Sequence, residues 1–255
     1  MDRETVWRLD RINRDFYATH AEEFLATRAS PWPGWDRLLP YLRGIEPPSA
    51  PLRILDLGCG NGRLGTWLED RLERRHGYVG LDRSLALLSR VRPTSKAALP
   101  ARFLVDVVRS DGHIPCRTAT YDAALALAFL HHVPSLELRS ALIDDLLRVV
   151  RPGGVLALSF WQFAHEERFE RRIVPWQRLG RYPAAVIEPA QLEEGDHLLA
   201  WGDRDLDPPV VRYCHYTSPE AAERLVTDRP ATVLDTFHAD GRGGRLNLYL
   251  VLQRS

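Results

Sequence analysis

The sequence contains few of the residues that mark specialised protein classes. Its three cysteines, Cys59, Cys116 and Cys214, include no CxxC pair. Their odd number and wide spacing argue against a disulfide framework and against a zinc site. The longest apolar run, Ala123–Leu130, is too short to cross a bilayer, and the charged start, Met1–Glu4, does not resemble a signal peptide. We therefore expect a soluble cytoplasmic protein with no bound metal and no membrane contact.

The chain carries no excess of charge of either sign. Its 34 basic residues balance its 34 acidic residues, and Lys96 is the only lysine. The composition therefore gives no global sign of nucleic-acid binding. A local basic face can still bind phosphates: the stretch 166–181 combines five arginines and three glutamates with Phe169 and Trp176. A solvated charged face is the simpler interpretation of this stretch.

Apolar segments alternate with helical patterns from residue 52 onward. Short buried strands are predicted at Arg53–Leu57, Tyr78–Asp82, Arg102–Asp106, Tyr121–Phe129 and Val155–Trp161. Helices are predicted over Arg63–Arg75, Ser84–Arg92 and Leu136–Val149, and Ser218-Pro219 predicts the start of another helix, as a cap and a first-turn proline. Two further strands, Ala231–Ala239 and Arg245–Gln253, flank the turn Gly241–Gly244 and predict an antiparallel hairpin. The pattern favours an α/β fold with a doubly wound, mostly parallel seven-stranded sheet that ends in this hairpin.

The first 51 residues predict a helical segment outside this sheet. Apolar residues within 3–27 recur at helical spacing, Pro31–Gly34 ends that helix, and 44–51 read as a linker. We expect residues 1–51 to form a helical lid on a domain that spans 52–255. Residues 162–209 lack a long periodic pattern and are expected to be an insertion over the edge of the sheet.

A strand that runs into a glycine loop, Arg53–Gly62, is the strongest functional motif. Its glycines allow the backbone to approach a ligand closely, and the helix that follows offers free N–H groups. Asp82 lies twenty residues after the loop, at the end of the next predicted strand. In nucleotide-binding α/β folds, an acid at that position accepts hydrogen bonds from ribose hydroxyls.

Two cofactors fit such a loop. Gly60, Gly62 and Gly65 also spell the GxGxxG pattern of dinucleotide sites. Asp56, however, precedes the loop, and its carboxylate would repel a pyrophosphate and attract the ammonium group of a methionine moiety. We therefore predict S-adenosylmethionine as the cofactor. The residues expected to bind it are Asp56, Gly58, Cys59, Gly60, Asn61, Gly62 and Asp82.

A third acid is expected at the adenine end of the cofactor. Asp106 closes the third predicted strand, where a polar residue typically faces the adenine amino group. Asp111 is an alternative for the same contact, because the register from Val107 to Thr120 is hard to assign.

Several further stretches carry a family resemblance. They are Phe16-Tyr17 with Phe24, Thr27-Arg28 with Pro31-Trp32-Pro33, Gly80–Ser84, Ala126–His132, Gly195-Asp196 with Ala200-Trp201, and Arg212–Tyr216. With the glycine loop, they are similar to class I methyltransferases and, more narrowly, to the Trm9/ALKBH8-type methyltransferases. That family esterifies the carboxymethyl group of a wobble uridine in tRNA.

The resemblance implies a Rossmann-like fold, S-adenosylmethionine as cofactor, tRNA modification as the activity and room for a partner protein subunit. Arg83 and Ala128 belong to the matching stretches and are expected to contact the cofactor. The sequence departs from the family at Leu199-Ala200-Trp201, where the family has a Val-Pro-Trp element.

Four residues are candidates for the acceptor side of the site. His131 and His132 follow the fourth predicted strand and should lie near the transferred methyl group. Adjacent residues point in different directions, so we do not expect both to bind one metal. If the acceptor is a carboxylate, it is already ionised and needs a cationic clamp, for which Arg212 is the first candidate and Arg28 the second. If it is an amine or a hydroxyl, His131 or His132 would serve as the base.

The residues leave three functions open. The first is a tRNA methyltransferase and the second is a methyltransferase of a small-molecule carboxylate. The third is a non-catalytic subunit that keeps the fold.

Overall fold

The computed structural model describes residues 1–28, 30–90, 101–179, 187–203 and 205–255, without the side chains of residues 101 and 102. Within these ranges the helices are α1 (Arg3–Thr19), α2 (Ala21–Ala26), α3 (Pro33–Asp36), α4 (Leu39–Arg43), α5 (Arg63–Arg71), α6 (Leu85–Leu88), α7 (Leu136–Val149), α8 (Glu167–Glu170) and α9 (Pro219–Val226). The strands are β1 (Leu52–Leu57), β2 (His76–Asp82), β3 (Ala101–Leu104), β4 (Tyr121–Ala126), β5 (Val150–Trp161), β6 (Ile173–Val174), β7 (Asp196–Ala200), β8 (Val211–His215), β9 (Ala231–Ala239) and β10 (Asn247–Arg254).

Seven strands form the main sheet in the order β3-β2-β1-β4-β5-β10-β9. The pairs from β3 to β5 are parallel, and β10 is antiparallel to both β5 and β9. The chain reverses its order between β1 and β4, which is the point where ligands bind in open α/β sheets. The predicted fold class and the antiparallel hairpin are therefore confirmed.

Helices cover both faces of this sheet. Ile54 and Leu55 are both fully buried and point to opposite faces, because side chains alternate along a strand. Leu55 packs in the cluster under α7 and α9, and Ile54 packs in the cluster under α4 and α5. Burial on both faces explains why β1 consists mostly of apolar residues.

Several boundaries differ from the sequence prediction. The predicted helix over 3–27 is interrupted at His20, so that α1 and α2 are separate helices. The helix that starts at Arg63 ends at Arg71 rather than at residue 75. The helix predicted over 84–92 is a single turn with a Ser84 cap, and its last two residues lie outside the described ranges. Helix α7 has the predicted bounds.

The region after β5 contains a second, smaller sheet. Strands β6, β7 and β8 pair antiparallel, so part of the stretch 162–209 is regular structure. Leu9 and Ile12 of α1 pack in the cluster beneath this sheet with Leu198 and Tyr213. The amino-terminal helix and the small sheet thus form one packed unit above the carboxyl ends of the main strands.

Asp240 joins two distant parts of the chain. Its carboxylate accepts hydrogen bonds from the Gly34 amide at 2.8 Å, Asn247 Nδ2 at 2.7 Å and the Tyr249 hydroxyl at 2.6 Å. The segment with Trp32 and Gly34 is thereby held against β10.

No helix in the described ranges is both long and apolar enough to span a membrane.

Candidate active site

A cavity opens at the carboxyl ends of β1, β4 and β5, beneath α1, α2 and β8. It brings together residues that are far apart in the sequence. Among those that line it are Tyr17, Arg28, Asp56, Gly60, His131 and Arg212. This is the sheet edge at which the sequence places the cofactor loop and the candidate acceptor residues.

The glycine loop lies at the floor of the cavity. Gly58 and Gly60 have φ values of 78° and 54°, a backbone region that favours glycine. A β-carbon at Gly58 would lie 2.4 Å from the Phe129 ring, whereas one at Gly60 would meet nothing within 4 Å. The backbone at Gly60 is therefore open on the side from which a ligand can approach.

Asp82 holds this loop in place. Its carboxylate accepts hydrogen bonds from the amides of Gly60 at 2.9 Å and Ser84 at 2.8 Å. The sequence predicts a ribose contact for Asp82, and the structure adds a direct link between this carboxylate and the loop.

Asp56 is buried at the end of β1 and accepts a hydrogen bond from the Tyr78 hydroxyl. Burial raises the pKa of this carboxyl group to about 7, and the Tyr78 bond only partly opposes the shift. A cation at this point of the cavity would be favoured by the ionised carboxylate. The ammonium group of S-adenosylmethionine fits that requirement, and a pyrophosphate does not.

Three other predicted cofactor contacts line the same cavity. They are Cys59, Asn61 and Ala128. Ala128 has a φ of 54°, and its amide donates to Ser159 Oγ at 2.8 Å. This bond holds the chain in a tight turn after β4, directly opposite the glycine loop.

Arg83, Asp106 and Asp111 lie outside that cavity lining. Arg83 forms a buried ion pair with Asp10 of α1. Asp106 accepts a hydrogen bond from the Arg109 amide at 3.2 Å. Asp111 is exposed and lies 3.5 Å from Arg3. The adenine contact predicted for Asp106 or Asp111 stays a prediction, as does the cofactor contact of Arg83.

Both candidate histidines are at the cavity and both are neutral. Burial and the nearby Arg212 lower the pKa of His131 to about 3, and burial with His131 lowers that of His132 well below its usual value. His131 packs against Trp161 with ring centroids 5.2 Å apart, and its Nδ1 has no partner. His132 has both nitrogens engaged: Nδ1 lies 3.2 Å from both Asn13 Nδ2 and the Tyr213 carbonyl oxygen, and Nε2 lies 2.8 Å from the Tyr17 hydroxyl.

The side chains of His131 and His132 were expected to point in different directions, but their rings lie side by side. One ring nitrogen of each and the Cys214 thiol lie within 4.8 Å of one another. Burial raises the pKa of this thiol to about 12, so it is protonated. The positive charge of Arg212 beside the imidazoles opposes a cation at this point.

Arg212 projects from β8 into the cavity and is 4% exposed. Its guanidinium lies over four aromatic rings, at 5.3 Å from Phe16, 5.8 Å from Phe24, 5.7 Å from Trp161 and 5.0 Å from Trp201. These rings hold the cation in position without neutralising it.

Arg28 faces the same cavity from the end of α2. Burial, and then the charge of Arg212, lower its pKa to about 10. Its guanidinium packs 4.7 Å from the Phe24 ring centroid. In the part of the chain that the structure describes, neither Arg28 nor Arg212 forms an ion pair with a carboxylate. The cavity therefore contains two cations that lack an anionic partner.

Tyr213 and His215 point to the face of β8 opposite to Arg212, as the alternation along a strand predicts. Tyr213 Oη donates to Asp196 Oδ1 at 2.7 Å, and His215 Nδ1 lies 2.8 Å from the same oxygen. Glu193 joins this group through Arg139 of α7. These contacts fix the small sheet to the main domain.

The rim of the cavity includes part of the basic stretch found in the sequence. Arg168 and Phe169 line the opening, and the Arg168 guanidinium lies 4.5 Å from the Phe169 ring centroid. Arg168 is also 3.8 Å from Glu166, so its charge is partly balanced.

Sequence reasoning missed several residues of the cavity. Arg63 lines it and lies over the Trp32 and Trp35 rings, and Tyr17 and Trp161 also contribute. Arg63 directly follows the glycine loop, which was a usable signal. Trp161 ends β5, at the same sheet edge as the other strand ends.

Comparison with known proteins shows which family the site resembles. Residues 54–154 match the methyltransferase domain family. The tRNA (carboxymethyluridine(34)-5-O)-methyltransferase ALKBH8 of Mus musculus is 30% identical over 156 residues, which are 61% of this chain and 20% of the relative. The tRNA (carboxymethyluridine(34)-5-O)-methyltransferase of Schizosaccharomyces pombe is 29% identical over 193 residues, which are 71% and 73% of the two chains. The chain thus spans about a fifth of the length of the mouse relative.

Solved structures agree on the fold. A SAM-dependent methyltransferase from Methanosarcina mazei has a TM-score of 0.59 and 19% identity, with 88% of this chain and 98% of that chain covered. A chain of the complex between the Haloferax volcanii Trm112 methyltransferase activator and a methyltransferase has a TM-score of 0.58 and 14% identity, with 94% and 96% covered. Residues 54–154 therefore carry a methyltransferase domain, the fold is the one found in S-adenosylmethionine-dependent methyltransferases of known structure, and the predicted resemblance to the tRNA carboxymethyluridine methyltransferases is confirmed.

Proposed function

We propose that this protein transfers a methyl group from S-adenosylmethionine to a carboxylate, and that the carboxylate is the carboxymethyl group of a tRNA wobble uridine. The observation that carries the proposal is the pair of guanidiniums that face the cavity, the buried Arg212 and the partly buried Arg28, neither of which has a carboxylate partner among the described residues. An anionic acceptor would supply the missing partner. The relatives are carboxymethyluridine methyltransferases, which favours the carboxymethyl group among anionic acceptors.

Bound S-adenosylmethionine supplies a methyl group on a sulfonium, which is a good leaving group. The chain's own contribution is alignment. The amides of the glycine loop, with Asp56 and Asp82, would hold the methionine and ribose parts of the cofactor. Asp106 is our preferred residue for the adenine amino group, because Asp111 is exposed and faces Arg3. Arg212, with Arg28, would hold the acceptor carboxylate against the methyl carbon.

No general base is needed for this reaction, because a carboxylate is ionised at neutral pH. The states of the two histidines are consistent with a reaction that uses no base. His131 is neutral at physiological pH, so it would serve as a hydrogen-bonding group rather than as a second cation. His132 has no ring nitrogen left for a substrate proton.

We further propose that residues 1–51 act as a lid on a domain of residues 52–255. Helix α1 packs on the small sheet and α2 carries Arg28 to the cavity, so the lid would contribute to the acceptor site itself. The three cysteines are free thiols, which fits a reducing cytoplasm as the location.

A partner subunit is also part of the proposal. Strand β3 lies at one edge of the described sheet, and Phe103 and Leu104 on it are 53% and 61% exposed. A strand edge with exposed apolar side chains is a natural site for another chain to pair. Because a chain of similar fold occurs in a complex with the Trm112 methyltransferase activator, we propose an activator subunit of that kind as the partner.

The direct test is methyl transfer from radiolabelled S-adenosylmethionine into total tRNA and, separately, into a small-molecule extract. Label in tRNA that is released by mild alkali would indicate a carboxyl ester, since methylated ring nitrogens and ribose oxygens resist such treatment. Label that enters only small molecules would favour the alternative acceptor, and label that enters neither would favour a non-catalytic subunit. Filter binding of tRNA at several salt concentrations adds a second measurement, because phosphate contacts weaken steeply with salt.

A further inference from the structure

Arg63 is a third cation at the cavity, in addition to Arg28 and Arg212. It is the first residue of α5, directly follows the glycine loop and lines the cavity. No carboxylate in the described ranges forms an ion pair with it. The proposed acceptor clamp leaves this charge without a function.

The amino-terminal segment holds the Arg63 guanidinium in place. Its Nη1 donates to the Ser30 carbonyl at 2.7 Å, and its central carbon lies 5.6 Å from the ring centroid of Trp32 and 5.2 Å from that of Trp35. A guanidinium has five N–H donors, and within the described ranges the bond to Ser30 is the only hydrogen bond that Arg63 makes. The other donors are therefore available to a ligand, on a group whose position is already restricted.

The surroundings of Arg63 favour an anionic ligand. Burial lowers the pKa of the guanidinium, and the charge of Asp56 only partly opposes this shift. Removal of a cation from water is costly unless an anion compensates it. A carboxylate would supply the missing charge and two oxygens that match the planar fork of donors.

Arg63 belongs to the Asp56 side of the cavity rather than to the Arg212 side. The charges that reach Arg63 from ionisable groups are those of Asp56 and Tyr249. Arg212 instead acts on His131, whose pKa it lowers. A ligand whose cation meets Asp56 would therefore carry a neighbouring anion to Arg63 and not to the acceptor clamp.

S-adenosylmethionine has such a pair of charges, because its ammonium and carboxylate groups are attached to the same carbon atom. We propose that Arg63 binds the carboxylate of the methionine moiety while Asp56 binds the ammonium group. The two residues would together recognise the zwitterionic end of the cofactor. The inference rests on the proposed function for the cofactor alone and is independent of the acceptor.

The test compares Arg63→Met with wild type in titration calorimetry with two ligands. These are S-adenosylmethionine and its decarboxylated analogue, which keeps the ammonium and sulfonium groups. Loss of a charge-assisted contact should weaken binding of S-adenosylmethionine by about ten- to a hundredfold. Binding of the analogue should not weaken, because it has no carboxylate for Arg63 to bind. The preference of wild type for S-adenosylmethionine should therefore be largely lost.

Two further variants support the comparison. Arg71→Met is the matched control, since Arg71 is exposed on the same helix and does not line the cavity; it should change neither affinity. Arg63→Lys keeps the charge but not the fork, and it tests the same point if the methionine variant does not fold. It should reduce the preference for S-adenosylmethionine by about three- to tenfold without weakening the analogue.

The possible results separate this inference from the proposed function. Equal weakening of both ligands by Arg63→Met would mean that Arg63 only supports the shape of the site, and it would overturn the inference. Unchanged binding of both ligands, or a wild-type protein with no preference between them, would overturn it as well. These three results leave the proposed function standing. A wild-type protein that binds neither ligand would contradict the proposed function, and the inference with it.

Discussion

Replacement of Arg212 by methionine is the most direct perturbation of the proposed clamp. Arg212 is buried, lines the cavity and lies over four aromatic rings. Methionine keeps much of the apolar stem and can pack against the same rings, but it has no charge and no donors. The change therefore removes the interaction with substrate while it fills most of the space.

The expected magnitude follows from two opposing contributions. A hydrogen bond from Arg212 to a carboxylate contributes roughly 1.5–3 kcal/mol, so that kcat/KM should fall about ten- to a hundredfold. For the fold, contacts between the cation and the rings are lost, each about 0.5–1 kcal/mol, while a buried charge with no carboxylate partner is removed. Because these two effects oppose each other, we expect the free energy of unfolding to change by less than about 2 kcal/mol.

The assay is methyl transfer to carboxymethyluridine RNA, with cofactor affinity measured by titration calorimetry on the same samples. Cofactor affinity should not change, because Arg212 lies on β8 and the loop lies after β1. Arg212→Lys should restore activity only in part, since an ammonium group cannot form a two-pronged contact. Arg224→Met on α9, away from the cavity, is a matched control. Full activity in a folded Arg212→Met protein would refute the clamp.

Three further predictions concern the cofactor site and its response to pH. Asp82→Ala should weaken S-adenosylmethionine binding by about 1–3 kcal/mol in calorimetry, because the proposed ribose contact and the Gly60 bond are both lost; an unchanged affinity in a folded mutant would contradict the proposed contact. The raised pKa of Asp56, about 7, means that its carboxyl must lose a proton to bind an ammonium group, so cofactor affinity should fall by up to about tenfold per pH unit below pH 7. Asp56→Asn should bind weakly at every pH, and a wild-type affinity that does not vary with pH would count against this role. At saturating cofactor the rate should persist down to about pH 5, because a carboxylate acceptor has a pKa near 4. His131, whose pKa is about 3, should contribute no step in that range, and a rate that falls with a midpoint near 6.5 would indicate a histidine base instead.

The main fold could be predicted because local patterns and the global topology agree. The strand at residues 52–57, the glycine loop and the helix from Arg63 each carry a separate signal, and all three give the same unit. The predicted start of α9 at Ser218-Pro219 is also confirmed. Ser218 caps the helix by accepting a hydrogen bond from the Ala221 amide at 3.2 Å, and Pro219 lies in the first turn.

The small sheet was not predicted, because its strands are short and depend on partners far along the chain. Strand β6 has only two residues, which is too few for a period to show. Strands β7 and β8 are buried throughout or nearly so and lack the alternation of a half-exposed strand. The break at His20 was missed because the apolar residues of α1 and α2 continue at compatible spacing across it.

The candidate site could be predicted where a single sequence motif forms it. It could not be predicted where contacts between distant parts of the chain form it. Asp56 and the glycines follow from the sequence of a single loop. The neutrality of His131, the two engaged nitrogens of His132 and the loop contact of Asp82 arise from residues that meet only in the folded chain. Sequence gives the type of a side chain, but its charge state depends on what surrounds it.

The carboxylate of Asp240 has a consequence for the order in which the protein folds. Its bond to the Gly34 amide joins residues 206 positions apart, and β10, which supplies its other two donors, lies between β5 and β9. Contacts of such high sequence separation form slowly, because a long loop must close before they contribute. The wall of the cavity that contains Trp32 and Asn247 is thus expected to assemble late. Folding intermediates that hold only the central parallel strands should display the glycine loop before the acceptor site exists, so that cofactor binding could precede the ability to bind substrate.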